Sequence, residues 1–182
     1  MELFSSKLWV TGSNPVRGTF NTMKIYFKSK KEAQKYTQEL YNKMFPQGNQ
    51  QYLQWLSSYI EELTNFHQSY TRKILQKYFQ PVDEKQLYQY IVQDQYPNEF
   101  TEKQKASITD HFHNRLILEE QDWFQQWWKK QPFKYKRIWK LYLDGHPWKS
   151  IQRRVSETDH KKITRIFDRM IKEIQRLAHQ EE

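Results

Sequence analysis

Phe133-Lys-Tyr-Lys-Arg-Ile-Trp-Lys-Leu-Tyr-Leu-Asp-Gly145-His-Pro-Trp-Lys-Ser-Ile-Gln-Arg-Arg-Val155-Ser-Glu-Thr-Asp-His-Lys-Lys-Ile-Thr-Arg-Ile-Phe-Asp-Arg-Met170 is the stretch on which the reading of the fold turns. It predicts three helices. The first runs from about Lys134 to Leu143 with Ile138, Leu141 and Tyr142 inward, and Gly145 supplies the left-handed residue at which helices commonly stop. Pro147 suits the opening turn of a short second helix whose Trp148, Ile151 and Val155 face the first. Ser156 to Asp159 form a turn. In the third helix, Ile163, Ile166, Phe167, Met170, Ile171, Ile174 and Leu177 fall at offsets 0, 3, 4, 7, 8, 11 and 14. At ~100° per residue they make one apolar stripe. Lys161, Arg165, Asp168 and Lys172 project from the opposite face, flanked by Thr164 and Arg176.

In Gly145-His-Pro-Trp-Lys-Ser-Ile151, Val155, Thr158 and Ile163 to Arg169, the segment resembles the helix-turn-helix of sigma-factor region 4 and of related phage and prophage proteins. The resemblance covers roughly residues 134 to 177. Ser156-Glu157 stand where that family usually has Gly and an apolar residue, and Gln152 stands where it commonly has Ala. The resemblance implies double-stranded DNA as partner and a bacterial or phage transcriptional regulator as role. Groove entry by the third helix puts its early residues nearest the bases. Arg165 is then the candidate for bidentate recognition of guanine, and Lys161 and Lys162 can serve base or phosphate. Thr158, His160 and Thr164 are candidates for further base or methyl contacts. Lys134, Lys136, Arg137, Lys149, Arg153, Arg154 and Lys172 are candidates for phosphate contacts. A fragment starting near Gln131 is expected to keep weak, non-specific affinity.

Charge agrees with this placement. The 182 residues carry 30 Lys and Arg against 21 Asp and Glu, a net charge of +9. Residues 1 to 130 hold only +3 of it, from 17 basic and 14 acidic side chains, whereas 131 to 182 hold +6, from 13 and 7. A positive field concentrated at one end usually meets a polyanion, and nucleic acid is expected ahead of an anionic membrane.

Composition excludes several classes. With no Cys there is no disulfide, thiolate nucleophile or Cys-ligated metal, and the cytoplasm of a bacterial or phage-infected cell is the expected compartment. Met1 to Val10 lack the basic start, apolar run and cleavage site of a secretory leader, so secretion is not expected, and no apolar run reaches membrane-spanning length. Neither GxGxxG nor GxxxxGK[ST] occurs. Phe, Trp and Tyr make up 16% of the chain, so aromatic side chains must supply much of the core. Trp139 and Trp148 could stack on bases, although Trp at helical spacing is more often core. Four Gly and six Pro favour long helices over many short strands.

Towards the N-terminus, Leu8-Trp9-Val10 and Thr22 to Phe27 predict a small β-hairpin, followed by a helix from Lys30 to Phe45 capped by Ser29 and stopped by Pro46 and Gly48. Leu53, Leu56, Tyr59, Ile60, Leu63, Phe66, Tyr70, Ile74 and Tyr78 predict one long amphipathic helix over Gln51 to Phe79, whose apolar face is a candidate dimer surface. Asp83 caps a shorter helix through about Val92. Thr101 and Gln104 form a capping box for a further long helix ending before Pro132. The expected architecture is mainly α, a helical bundle with a small N-terminal hairpin and a C-terminal helix-turn-helix. Its divisions fall at 1–48, 49–131 and 132–182.

No constellation points to catalysis, a metal or a cofactor, and a non-enzymatic protein is expected. His111 and His113 diverge by ~200° on a helix and cannot easily share an ion. Glu61-Glu62 and Glu119-Glu120 are adjacent pairs that point apart. Three roles remain open: a DNA-binding regulator, a packaging or recombination accessory factor that loads a larger machine, and a protein-binding helical adaptor.

Overall fold

The computed structural model describes residues 26–78 and 84–182. Among them are nine α-helices and no strand: α1 (Lys30–Met44), α2 (Asn49–Thr64), α3 (Tyr70–Tyr78), α4 (Glu84–Ile91), α5 (Glu102–Glu120), α6 (Asp122–Lys129), α7 (Phe133–Leu143), α8 (Trp148–Val155) and α9 (His160–His179). The mainly helical class is as read from the sequence. The expected hairpin, apart from Tyr26 and Phe27 at its end, and the Asp83 cap lie outside the described residues.

The helices group into two compact units. One takes the described residues up to Pro46 and those after Tyr78 up to Lys129. The other takes Gln47 to Tyr78 together with Lys130–Glu182. α2 and α3 therefore belong with the three C-terminal helices, a grouping that differs from divisions at 48 and 131.

In the first unit α5 is the central helix, packed on α1, α4 and α6. Its capping box forms as the spacing predicts, the Thr101 hydroxyl accepting from the Gln104 N–H and the Gln104 side chain accepting from the Thr101 N–H. Ile108, Phe112, Leu116, Ile117 and Leu118 are buried, so the C-terminal half of this helix is enclosed on most sides. It also carries a buried ion pair, Arg115 to Glu119 at 3.0 Å.

Two long helices expected from periodicity are each broken. The stretch 51–79 is α2, a 3-10 turn over Phe66–Gln68, and α3. The break falls where short polar side chains compete for the backbone: Thr64 Oγ1 donates to the Ile60 carbonyl and Asn65 Nδ2 to that of Glu61. Ser69 is extended, and its hydroxyl accepts the Arg72 N–H to start α3. The second break is at Gln121 (ψ 136°), which separates α5 from α6 and whose side chain donates to the Ile117 carbonyl.

In the second unit the apolar stripe of α9 packs on α2, α7 and α8. Ile163, Phe167, Met170, Ile171, Ile174 and Ala178 are buried. Each large side chain withdrawn this way contributes about 1.5 to 3 kcal/mol. Leu56 and Ile60, expected on a dimer surface, are 2% and 3% exposed within the chain itself, because α9 covers that face of α2. Trp139 is fully buried and stacks on Phe167 with ring centroids 5.6 Å apart, so it is core and unavailable to bases.

Candidate nucleic-acid interface

The joint between α7 and α8 is built by a complete Schellman motif. Gly145 holds φ +87°, its N–H donates to the Tyr142 carbonyl at 3.2 Å, and the His146 N–H donates to that of Leu141 at 3.0 Å. Pro147 then precedes α8, its carbonyl accepting from Ser150 and Ile151. Ile151 is fully buried. Tyr142 ties the three helices together, its ring 4.0 Å from Phe167 of α9 and 5.2 Å from Trp148 of α8.

The turn from α8 to α9 is short and closed. Ser156 takes the left-handed conformation (φ 54°, ψ 45°) at the position where the sigma-like pattern has Gly, the energetic cost of a Cβ being small enough for a single residue to bear. Asp159 caps α9 by accepting the Lys161 N–H at 2.9 Å. Glu157 is the knot. Its carboxylate accepts from Lys134 of α7 at 3.0 Å and from the Thr158 N–H at 3.1 Å, and lies 3.9 Å from the Lys162 ammonium. The hydrogen bond from Lys134 is the main reason its pKa is held below the ordinary carboxylate value. Gln152 Nε2 closes the loop on the Thr158 carbonyl.

The sequence-predicted residues divide by exposure. Lys149, Arg153 and Arg154 on α8, Thr158 in the turn, and His160, Lys161, Lys162, Arg165 and Lys172 on α9 are exposed. Lys149, Arg153, Arg154, Lys161, Arg165 and Lys172 have no ion-pair partner among the described residues. Four others are placed differently. Thr164 is half-buried and its hydroxyl donates to the His160 carbonyl. Lys134 is engaged by Glu157. Lys136 and Arg137 are half-buried, and burial lowers the Lys136 pKa. Asp168 is exposed between Arg165 and Lys172 and pairs with neither.

Three residues of this region escape a reading by periodicity. Arg169 is exposed and donates to the Tyr135 hydroxyl at 3.3 Å, bridging α9 to α7. Glu157, which in the sequence only stands where the sigma-like pattern has an apolar residue, ties the turn to α7 through Lys134. Arg72, one of three cations on an amphipathic segment with Lys73 and Lys77, is 2% exposed and reaches the α7–α8 joint from 70 residues away.

Among the described residues, no group of three or more His, Asp and Glu is placed to hold a metal ion, and no helix is long and apolar enough to cross a membrane. His113 accepts or donates a 2.7 Å hydrogen bond with the Tyr36 hydroxyl. No protein-family model, curated protein or solved structure matches the chain.

Proposed function

We propose that the chain binds double-stranded DNA through α8, its turn and α9, with α9 in the major groove. One observation carries this reading: α9 is anchored along its apolar stripe while unpaired cations of α8 and α9 stand in solvent. A helix so anchored at 20 residues is about 30 Å long and fits a groove that admits one helix. Arg165 serves as the base-reading residue, with Lys161, Lys162, His160 and Thr158 beside it. Lys149, Arg153, Arg154 and Lys172 serve phosphates. The resemblance of residues 134 to 177 to sigma-like helix-turn-helix proteins supports a bacterial or phage transcriptional regulator within this class.

The test is a salt titration of duplex binding by the full chain, paired with selection of a preferred site. If about five phosphates are neutralised, log K should fall against log salt with a slope of about −4.5. Arg165→Ala should cost about 1 to 3 kcal/mol at the selected site and flatten preference at one base pair, whereas Lys172→Ala should weaken all duplexes alike. Salt-insensitive binding, or full retention of preference by Arg165→Ala, removes α9 from the reading role.

A further inference from the structure

Among the described residues of the second unit, Arg72 is a buried cation with no carboxylate within ion-pair distance. It is 2% exposed, and its guanidinium donates through Nη1 to the Tyr142 carbonyl at 2.6 Å and through Nη2 to the His146 carbonyl at 2.7 Å. Its Cζ lies 4.3 Å from the ring centroid of Tyr142, 5.3 Å from that of Trp148 and 5.9 Å from that of Phe66. Burial of a charge is costly, and here the compensation is chemical and specific. The two carbonyls lie at the negative end of α7, and three aromatic faces present their negative quadrupoles.

What the fork spans is informative. Tyr142 is in the last turn of α7, and His146 directly precedes Pro147, the N-cap of α8. Between them lies Gly145, the left-handed residue of the joint. The same rings that receive the cation continue to the candidate reading helix, Tyr142 against Phe167 at 4.0 Å and Trp148 against His160 at 6.3 Å. A lysine in this place would offer one compact ammonium, not a planar fork able to bracket two carbonyls.

We infer that Arg72, lent by α3, is a positioning residue for the DNA-reading helix: its bidentate bracket across the α7–α8 joint sets the angle at which α8 and α9 are presented to the duplex, without touching DNA. The inference rests on the DNA-binding reading for its consequence, but the bracket itself can be tested without DNA.

The experiment compares the chain with Arg72→Lys, Arg72→Met and, as a core control on α2, Leu63→Ala. Residual dipolar couplings of α7, α8 and α9 measure helix orientation in the absence of DNA, and circular dichroism confirms folding. Arg72→Met and Arg72→Lys should leave each helix intact but change the orientation of α8 and α9 relative to α7. The control should leave it unchanged. With duplex, the ratio of selected-site to mixed-sequence affinity should fall about tenfold in both Arg72 variants, the size of one lost bidentate base contact, with the salt slope unchanged. Should Arg72→Met fail to fold, Arg72→Lys, which keeps the charge, carries the comparison. Unchanged couplings overturn the inference, as does a salt slope smaller by one phosphate, which would make Arg72 a direct contact. The same loss of ratio in Leu63→Ala would reduce Arg72 to general stability. If the wild-type chain shows no duplex binding, the DNA reading fails while the couplings still decide whether Arg72 sets the joint.

Discussion

A Cβ on Gly145 would overlap the Cβ of Leu75 and lie 3.2 Å from the Leu75 carbonyl carbon and 3.4 Å from the Gln76 nitrogen. α3 thus runs its backbone directly against the joint between α7 and α8, and Gly145 is required there twice, for its φ of +87° and for its lack of a side chain. Gly145→Ala should lower stability by about 3 kcal/mol, combining the left-handed penalty with overpacking. Leu75→Ala should not rescue it, because the overlap involves Cβ and backbone. Gly48 provides the comparison: it has φ +91° but nothing within 4 Å, so Gly48→Ala should show the backbone cost alone, about 1 to 3 kcal/mol. Chemical denaturation of both variants measures the difference.

Local features were legible because their causes are local. The Thr101 and Gln104 box, the Ser29 cap, the Gly145 stop and the α9 stripe each rest on residues within a few positions of one another. The break after α2 was hidden because Phe66, Tyr70 and Ile74 keep a helical spacing across it, while the decisive hydrogen bonds of Thr64, Asn65 and Ser69 leave no periodic signature. The candidate site was legible in its exposed cations and not in its supports. Arg72 acquires meaning only once Tyr142 and His146 are folded against it, and periodicity cannot register a contact over 70 residues.

Glu157 makes the turn before α9 sensitive to acid. Its pKa is depressed in the folded chain, chiefly by the hydrogen bond from Lys134, so its stabilisation is fully present above the unfolded value of about 4.3 and is lost as pH falls through the lower folded value. Glu157→Gln should remove that part of the acid sensitivity. It should also release Lys134 and loosen Lys162, so that affinity for mixed-sequence duplex rises while preference for a selected site falls. Melting temperatures between pH 5 and 3 and paired binding curves, all flanked by the wild type, check both effects; identical pH profiles for the two proteins would refute the first.

Two histidines give a second, higher pH window, one in each unit. Burial, with Lys43 adding to it, lowers the His113 pKa from 6.5 to about 4, and burial does the same for His146. Above about 6.5 both are neutral in the folded and unfolded chain. As pH falls from there to about 4 the unfolded chain takes up protons that the folded chain refuses, so stability drops, by about 3 kcal/mol at most for each. His113→Gln, which keeps an acceptor for the Tyr36 hydroxyl, should flatten the part of the drop that belongs to the first unit. Denaturation midpoints at pH 7, 5.5 and 4.5 measure it, and a wild-type profile flat over that range would contradict the assignment.

The fragment starting near Gln131 should not keep DNA affinity, contrary to what its charge alone suggests. It lacks α2, which covers the distal part of the α9 stripe: Leu53, Leu56 and Ile60 share a shallow groove with Gln175, Ala178 and His179. It also lacks the Arg72 bracket. Each large apolar side chain returned to water forfeits about 1.5 to 3 kcal/mol, and three or four of them exceed what a helical trio of this size can spare. Circular dichroism of residues 131–182 should show much less helix than α7, α8 and α9 account for in the full chain, and duplex affinity should fall with it. In the full chain, Leu56→Glu should lower stability by about 3 kcal/mol or more by burying a carboxylate against α9. It should do so at every protein concentration, since the face it disrupts is covered within one chain. A folded, DNA-binding 131–182 fragment would show instead that α2 and α3 are dispensable supports.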